Sequence, residues 1–239
     1  MISIILAAGK GSRLYPLTKN KPKCLVEYKN KTILSHQINT FNKVKIKKIY
    51  LVSGYKSSKI KIKKIIKKKN SEFKNSNMVY SLFKFEKLFN GEEDIIISYG
   101  DIIFKEKVIK KLINKKENLS TIIDIGWLSY WKKRFKNPLD DAESLRMNKK
   151  FHITDIGKKT KSYKNIQGQY IGLIKIKKEI TKEVLKVWND KNKNNKKIIN
   201  MYFTDFLQIL IKQNFKLKAV ISKRGWLEFD EPSDLQINF

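Results

Sequence analysis

The chain has 239 residues, room for one large domain or two small ones, and its 41% hydrophobic content can build a real core. One cysteine, Cys24, excludes an internal disulfide framework, and with only His36 and His152 beside it the expected metal is a hard cation on carboxylates. The net charge of +31 raises a polyanion partner, but four arginines among 53 basic residues and no recognition motif argue against a specific nucleic-acid surface.

Ile2–Ala7 is an unbroken apolar run, the pattern of a strand buried on both faces. Ile33–Phe41 has helical spacing, and Ile46–Tyr55 predicts a second parallel strand. The lysine-rich stretch Ser57–Asn70 predicts a helix capped by Ser57 or Ser58. Asn77–Phe89 predicts another, and Asp94–Asp101 a third buried strand ending in Gly-Asp. Lys105–Lys116 then reads as helix and Leu119–Trp127 as strand. This is the rhythm of an open, mostly parallel α/β sheet. Beyond Trp127 charges and aromatics interleave. Phe151–Ile176 predicts strands joined by a loop, Lys178–Trp188 and Tyr202–Gln213 helices, and Lys216–Ile221 and Trp226–Asp230 late strands. Asn189–Asn200 is polar and of low complexity, the composition of a mobile loop. No repeat, linker, leader sequence or membrane-length apolar run is visible. A single cytoplasmic domain over 1–239 is therefore expected, with a nucleotide-binding half over 1–120 and an acceptor-binding half over 121–239.

The first strand runs into a glycine loop, "LAAGKGSRLYPLTKNKPKCLV", from Leu6 to Val26. Such a loop brings backbone N–H groups close to an anion, and Gly9 and Gly11 remove side chains where that approach occurs. The Walker pattern is absent. The dinucleotide G-x-G-x-x-G pattern also fails, because Leu14 stands at its third glycine.

The loop resembles the L-A-A-G-x-G-x-R-L…P-L-T…P-K-x-L signature of nucleotidyltransferases that make activated sugars and alcohol phosphates. The strand end Gly100–Asp101, the Lys158–Lys159 turn, "GQYIGL" and "FDEPSDL" extend the resemblance along nearly the whole chain. "NSNMVYSL" and the 134–176 region are similar to the small cytidylyltransferases. The resemblance implies a three-layer α/β sandwich, a mixed and mostly parallel sheet with a Rossmann-like nucleotide-binding half. It also implies Mg²⁺-dependent transfer of CMP from CTP to a small phosphate or phosphonate, with release of pyrophosphate. A sugar-1-phosphate enzyme of the same fold is the alternative, weakened because Lys158-Lys159-Thr160 stands where those enzymes carry E-K-P. A basic nucleic-acid-binding protein that has lost catalysis is the second alternative.

The resemblance assigns Asp101 and Asp230 to the metal; a helix N-cap and a turn aspartate are the bland readings. It assigns Lys23 and Arg13 to the triphosphate and Lys159 to the acceptor phosphate, with Lys158 beside it as the alternative. Leu6, Ala7, Ala8, Gly9, Gly11, Ser12 and Gly100 would cradle the nucleotide. Asn77 and Ser81 would frame its base, unless Asn77 is simply a helix cap. Trp127 and Trp131, four apart, share a helix face and gather with Asp140, Asp141 and Glu143 in an otherwise cationic chain. Core packing is the default for such a group. An aromatic wall beside carboxylates also suits an acceptor bearing an ammonium, such as phosphocholine or aminoethylphosphonate. Gln169 and Tyr170, in the "GQYIGL" match, complete the expected acceptor site. The expected partners are CTP and that acceptor, with a homodimer as the oligomer considered, and neither a specific nucleic acid nor a membrane.

Overall fold

The N-terminal apolar run forms strand β1 (Ile2–Ala7), with every residue buried. The computed structural model describes residues 1–194 and 196–239. After β1 come a small hairpin, β2 (Glu27–Tyr28) and β3 (Lys31–Thr32), then α1 (Ile33–Lys43), β4 (Ile49–Ser53) and β5 (Ile66–Lys69). The chain continues through α2 (Met78–Leu82), β6 (Ile95–Tyr99), β7 (Ile102–Phe104), α3 (Glu106–Ile113), β8 (Leu119–Asp124) and α4 (Trp127–Arg134). A ribbon of β9 (Glu143–Met147) and β10 (Ile153–Lys159) precedes β11 (Gln169–Ile176), α5 (Lys178–Asn194) and α6 (Phe203–Lys212). Last come β12 (Leu217–Ser222) and β13 (Trp226–Glu228).

Seven strands make the central sheet in the order β12-β8-β11-β6-β1-β4-β5. β11 runs antiparallel to β6 and β8, and every other neighbouring pair in the sheet is parallel. The alternation predicts a mostly parallel sheet and the resemblance a mixed one; both hold, and both halves of the chain contribute strands. Apolar side chains pack on its two faces as separate clusters. One holds Leu34 and Phe41 of α1 with Val108 of α3 and Trp131 of α4. The other holds Leu82 of α2 with Val184 of α5 and Phe206 of α6. From β1 the chain crosses to β4 and β5, then returns to place β6 on the other side of β1. Their carboxyl ends therefore flank a topological switch point, where open α/β sheets place ligands.

Three expectations need correction. Ser57–Asn70 is not a helix: Ser57–Lys59 form a single 3-10 turn and Ile66–Lys69 the exposed edge strand β5. Lysine's helix propensity and the isoleucine spacing imitate a helical period, but tertiary pairing with β4 prevails, and lysines guard the sheet edge. Asn77–Phe89 holds one α-helical turn, α2, then a 3-10 segment with non-helical geometry at Phe85. Within the predicted loop, α5 continues to Asn194 and Lys196–Asn200 form a 3-10 turn, while Asn195 lies outside the described residues. Among the described residues no helix is long and apolar enough to cross a membrane.

Candidate active site

The glycine loop turns tightly after β1. Gly11 has φ +69°, and a Cβ there would stand 2.8 Å from Lys23 Cβ. A glycine is thus what lets the Lys23 side chain pass across the loop. We expect Gly11→Ala to cost about 1–2 kcal/mol of stability through its left-handed backbone. Because the new methyl also displaces Lys23, kcat should fall by at least about tenfold. Thermal unfolding and turnover measured together separate the two effects; intact turnover would show that Lys23's path does not matter.

Leu6, Ala7, Ala8, Gly9, Lys23, Asn77, Ser81, Gly100 and Asp101 line one cavity of about 210 Å³. Gly11, Ser12 and Arg13 continue the loop beyond these linings. Asn77 caps α2, its Oδ1 accepting from the Met78 N–H at 2.8 Å. Ser81 accepts from Asn70 Nδ2 at 3.0 Å. Both therefore have structural work as well as a place on the cavity wall.

A second cavity of about 290 Å³ is lined by Arg13, Trp131, Asp141, Glu143, Gln169 and Tyr170 together with Asp230, Glu228 and the aromatics Tyr99, Tyr202 and Phe203. The antiparallel pair β7–β13 brings the carboxylates together. Glu228 is opposite Ile102, and the Phe229 N–H donates to Asp101 O at 3.0 Å. Carboxylate atoms of Asp101, Glu228 and Asp230 lie within 4.8 Å of one another. Asp101 caps no helix; Lys105 holds the cap position of α3. The turn aspartate is Asp234, which accepts from the Asp230 and Glu231 N–H groups.

Lys23 sits between the two aspartates, its Nζ 2.8 Å from Asp101 Oδ2 and 2.5 Å from Asp230 Oδ1. Burial alone would lower its pKa, but the two carboxylates outweigh that and hold it above the ordinary lysine value. Arg13 reaches Asp230 Oδ1 at 3.0 Å. Arg134, with its side chain 1% exposed, holds Glu228 at 2.5 Å, Asp230 at 3.2 Å and Asp234 at 3.0 Å. Burial would raise the Asp230 carboxyl, but Lys23, Arg13 and Arg134 together depress it. Glu228 moves the other way, pushed up by burial and by the Asp230 charge. Asp101 Oδ1 is buried and has no hydrogen-bond partner. Three clustered carboxylates, an unmet oxygen and an ammonium already drawn between two of them fit a hard divalent cation.

The expected acceptor group divides. Trp127 and Trp131 do share the α4 face, ring centroids 5.8 Å apart. Trp127 is buried behind Trp131 and lines neither cavity. Trp131 Nε1 donates to Asp141 Oδ2 at 3.0 Å, and burial raises the Asp141 carboxyl. Asp140 is exposed, accepts from Asn137 Nδ2 at 2.8 Å, and lies outside the cavity. Lys159 is exposed and lines a separate hollow with Arg146, Lys158, Thr160 and Asn165. Lys158 is paired with Asp155. The sequence reading missed Glu228 and Arg134. In "WLEFD", the period of two places Glu228 on the same strand face as Asp230, a signal that was available. Arg134 follows two exposed lysines and carries no such signal.

The Nucleotidyl transferase family model matches residues 2–133. Over 252 aligned positions the chain is 41% identical to CTP:phosphoglutamine cytidylyltransferase of Campylobacter jejuni subsp. jejuni serotype O:2, covering 99% of this chain and 98% of that protein. This chain belongs to the nucleotidyltransferase family. The nucleotidyltransferase fold agrees with solved structures at lower identity. CTP:phosphocholine cytidylyltransferase from Streptococcus pneumoniae superposes with a TM-score of 0.75 at 18% identity, over 98% of this chain and 96% of that one. The inositol-1-phosphate CTP transferase from T. maritima gives a TM-score of 0.75 at 18% identity, over 99% and 91%.

Proposed function

We propose that this nucleotidyltransferase transfers CMP from CTP to a small phosphorylated or phosphonate acceptor that also carries an amine, and releases pyrophosphate. One observation carries the reading: the glycine-loop cavity and the carboxylate-aromatic cavity adjoin the same Lys23–Asp101–Asp230 cluster. CTP as donor is supported by the full-length relative that is a CTP:phosphoglutamine cytidylyltransferase.

The acceptor oxygen attacks the α-phosphorus of CTP. A new P–O bond forms, the bond from the α-phosphorus to the bridging oxygen breaks, and pyrophosphate leaves with that electron pair. The nucleophile is an anion at neutral pH, so no general base is needed. Catalysis then rests on positioning and on neutralising charge. Arg13 and Lys23 supply cations beside the glycine loop, and Lys23 exchanges carboxylate partners for phosphate oxygens when nucleotide is bound. Asp101 and Asp230, with Glu228, would hold Mg²⁺, which supplies Lewis-acid stabilisation of the reacting phosphate oxygens. Arg134 keeps Glu228 and Asp230 in place from behind. Lys159 serves the acceptor phosphate only if the β9–β10 ribbon turns it toward the cavity; in the present conformation Arg13 and Lys23 are the cations at that end. A sugar phosphate, having no positive group, would meet the repulsion of Asp141 and Glu143.

Pyrophosphate release, screened over the four ribonucleoside triphosphates with amine-bearing and amine-free phosphorylated acceptors, tests the reading. CTP with an amine-bearing acceptor should dominate. Equal turnover with glucose-1-phosphate and any triphosphate would favour the sugar-nucleotide alternative.

A further inference from the structure

Resting on that reading, we propose that Glu143, supported by Tyr170, receives an N–H-bearing ammonium of the acceptor and so selects primary amines over quaternary ones. The other carboxylates of the cavity are already engaged. Asp141 takes the Trp131 N–H, and Asp230 and Glu228 take Arg13, Lys23 and Arg134. Glu143 alone among them makes no side-chain hydrogen bond or ion pair with the described residues, yet it lines the cavity. Its backbone is fixed on both sides by Gln169, which accepts the Glu143 N–H at 3.3 Å and donates to its carbonyl at 2.7 Å.

The next residue of β11 supplies the second unmet group. The Tyr170 hydroxyl is buried and has no hydrogen-bond partner. Tyr99 stands edge-on to it, ring centroids 5.6 Å apart, without bonding it in normal geometry. A register shift in β11 between Tyr170 and Ile174 sets this arrangement. Gly172, at φ +78°, makes room for the Tyr99 ring, which a Cβ would meet at 2.5 Å.

An ionised carboxylate that is half-buried and unpaired is costly, and here burial, with Asp141 and Asp205 adding, pushes the Glu143 carboxyl up to about 7. Arg13, Tyr99, Tyr170, Tyr202, Glu228 and Asp230 are the other titratable groups of the lining, and Lys159, its register partner on β10, lines a different hollow. A ligand that brings N–H donors relieves the unpaired Glu143 carboxylate, and Tyr170, lining the same cavity, offers a second acceptor. A trimethylammonium brings none and depends on open aromatic faces. Trp131 cannot serve, being 3% exposed and packed against Trp127, Tyr130 and Trp226. That leaves Tyr202, 61% exposed, as the open ring of the lining, short of the several faces an aromatic cage uses.

The test compares phosphoethanolamine and O-phosphoserine with phosphocholine and ethyl phosphate at saturating CTP, for the natural protein, Glu143→Gln and Tyr170→Phe. The primary amines should show KM values at least about tenfold lower than phosphocholine. Glu143→Gln should raise those KM values about ten- to a hundredfold, the effect of one charge-assisted bond, and abolish the preference while KM for CTP stays within about twofold. Tyr170→Phe should act in the same direction but more weakly. As pH rises through about 7, KM for the amines should fall in the natural protein beyond the change seen in Glu143→Gln, which carries only the acceptor's own titration. Calorimetry in CTP plus chelator reads the same selectivity without turnover. Binding selectivity without turnover would therefore sink the transfer reading but not the Glu143 assignment. If phosphocholine binds as well as the primary amines, or Glu143→Gln leaves their affinity intact, the assignment is wrong.

Discussion

Asp101→Asn should lower kcat by about a hundred- to a thousandfold, the scale on which loss of one preorganised electrostatic group acts. Asn keeps the size of the side chain and removes its charge, so the fold should persist. Asp101 ends no helix turn and caps none. Its work is to hold one oxygen against Lys23 and to present another, buried and unmet, to the site. Circular dichroism should match the natural protein. Isothermal titration should show weakened Mg²⁺ binding in the presence of CTP, a readout that does not depend on turnover. A variant with normal rates at saturating Mg²⁺ would remove Asp101 from the reaction.

The second large effect falls on stability. Arg134→Met should destabilise the protein by about 3–5 kcal/mol, because it removes one guanidinium and leaves Glu228, Asp230 and Asp234 facing one another. For a chain of this length that is a melting point lower by about 6–20 °C. The sign with pH follows from the carboxyls. Asp230 is held below its ordinary pKa partly by Arg134, so in the natural protein it contributes stability above the unfolded carboxylate range, lost as pH falls through its depressed value. Removing Arg134 raises the folded pKa of Asp230 and Glu228, and the folded variant binds more protons than its unfolded chain. The deficit should thus be largest near neutral pH and shrink below about pH 4. Chemical denaturation at pH 7.5 and 4 checks this; an equal deficit at both would mean lost packing rather than charge.

Those two residues also mark what a sequence can and cannot disclose. Asp101 was legible because a local pattern, a buried strand ending in Gly-Asp, places it at a sheet's carboxyl end. The glycine loop was legible for the same reason, and the conformation of Gly11 bears out the tight turn. Arg134 was not. Its three partners lie nearly a hundred residues away along the chain, and Lys132 and Lys133 beside it are ordinary exposed cations. Asp140 and Asp141 look alike in sequence, yet only Asp141 reaches the Trp131 indole, because the 3-10 turn Pro138–Asp140 aims Asp140 at Asn137. The edge strand β5 was hidden by lysine-rich composition, which serves an exposed helix and a guarded sheet edge equally well. Arg13, Arg134 and Arg224 each hold a carboxylate, as Lys23 does, while the lysine excess spreads along the whole chain.

The most direct test of the central claim is ³¹P NMR of the protein incubated with CTP, Mg²⁺ and an amine-bearing phosphorylated acceptor. The account predicts that the β- and γ-phosphate signals of CTP give way to free pyrophosphate. In equal amount, the acceptor phosphorus and the α-phosphorus of CTP should become a coupled pair in one CDP-linked product. CTP that stays intact with every acceptor, or that breaks down to CDP and orthophosphate, would contradict it.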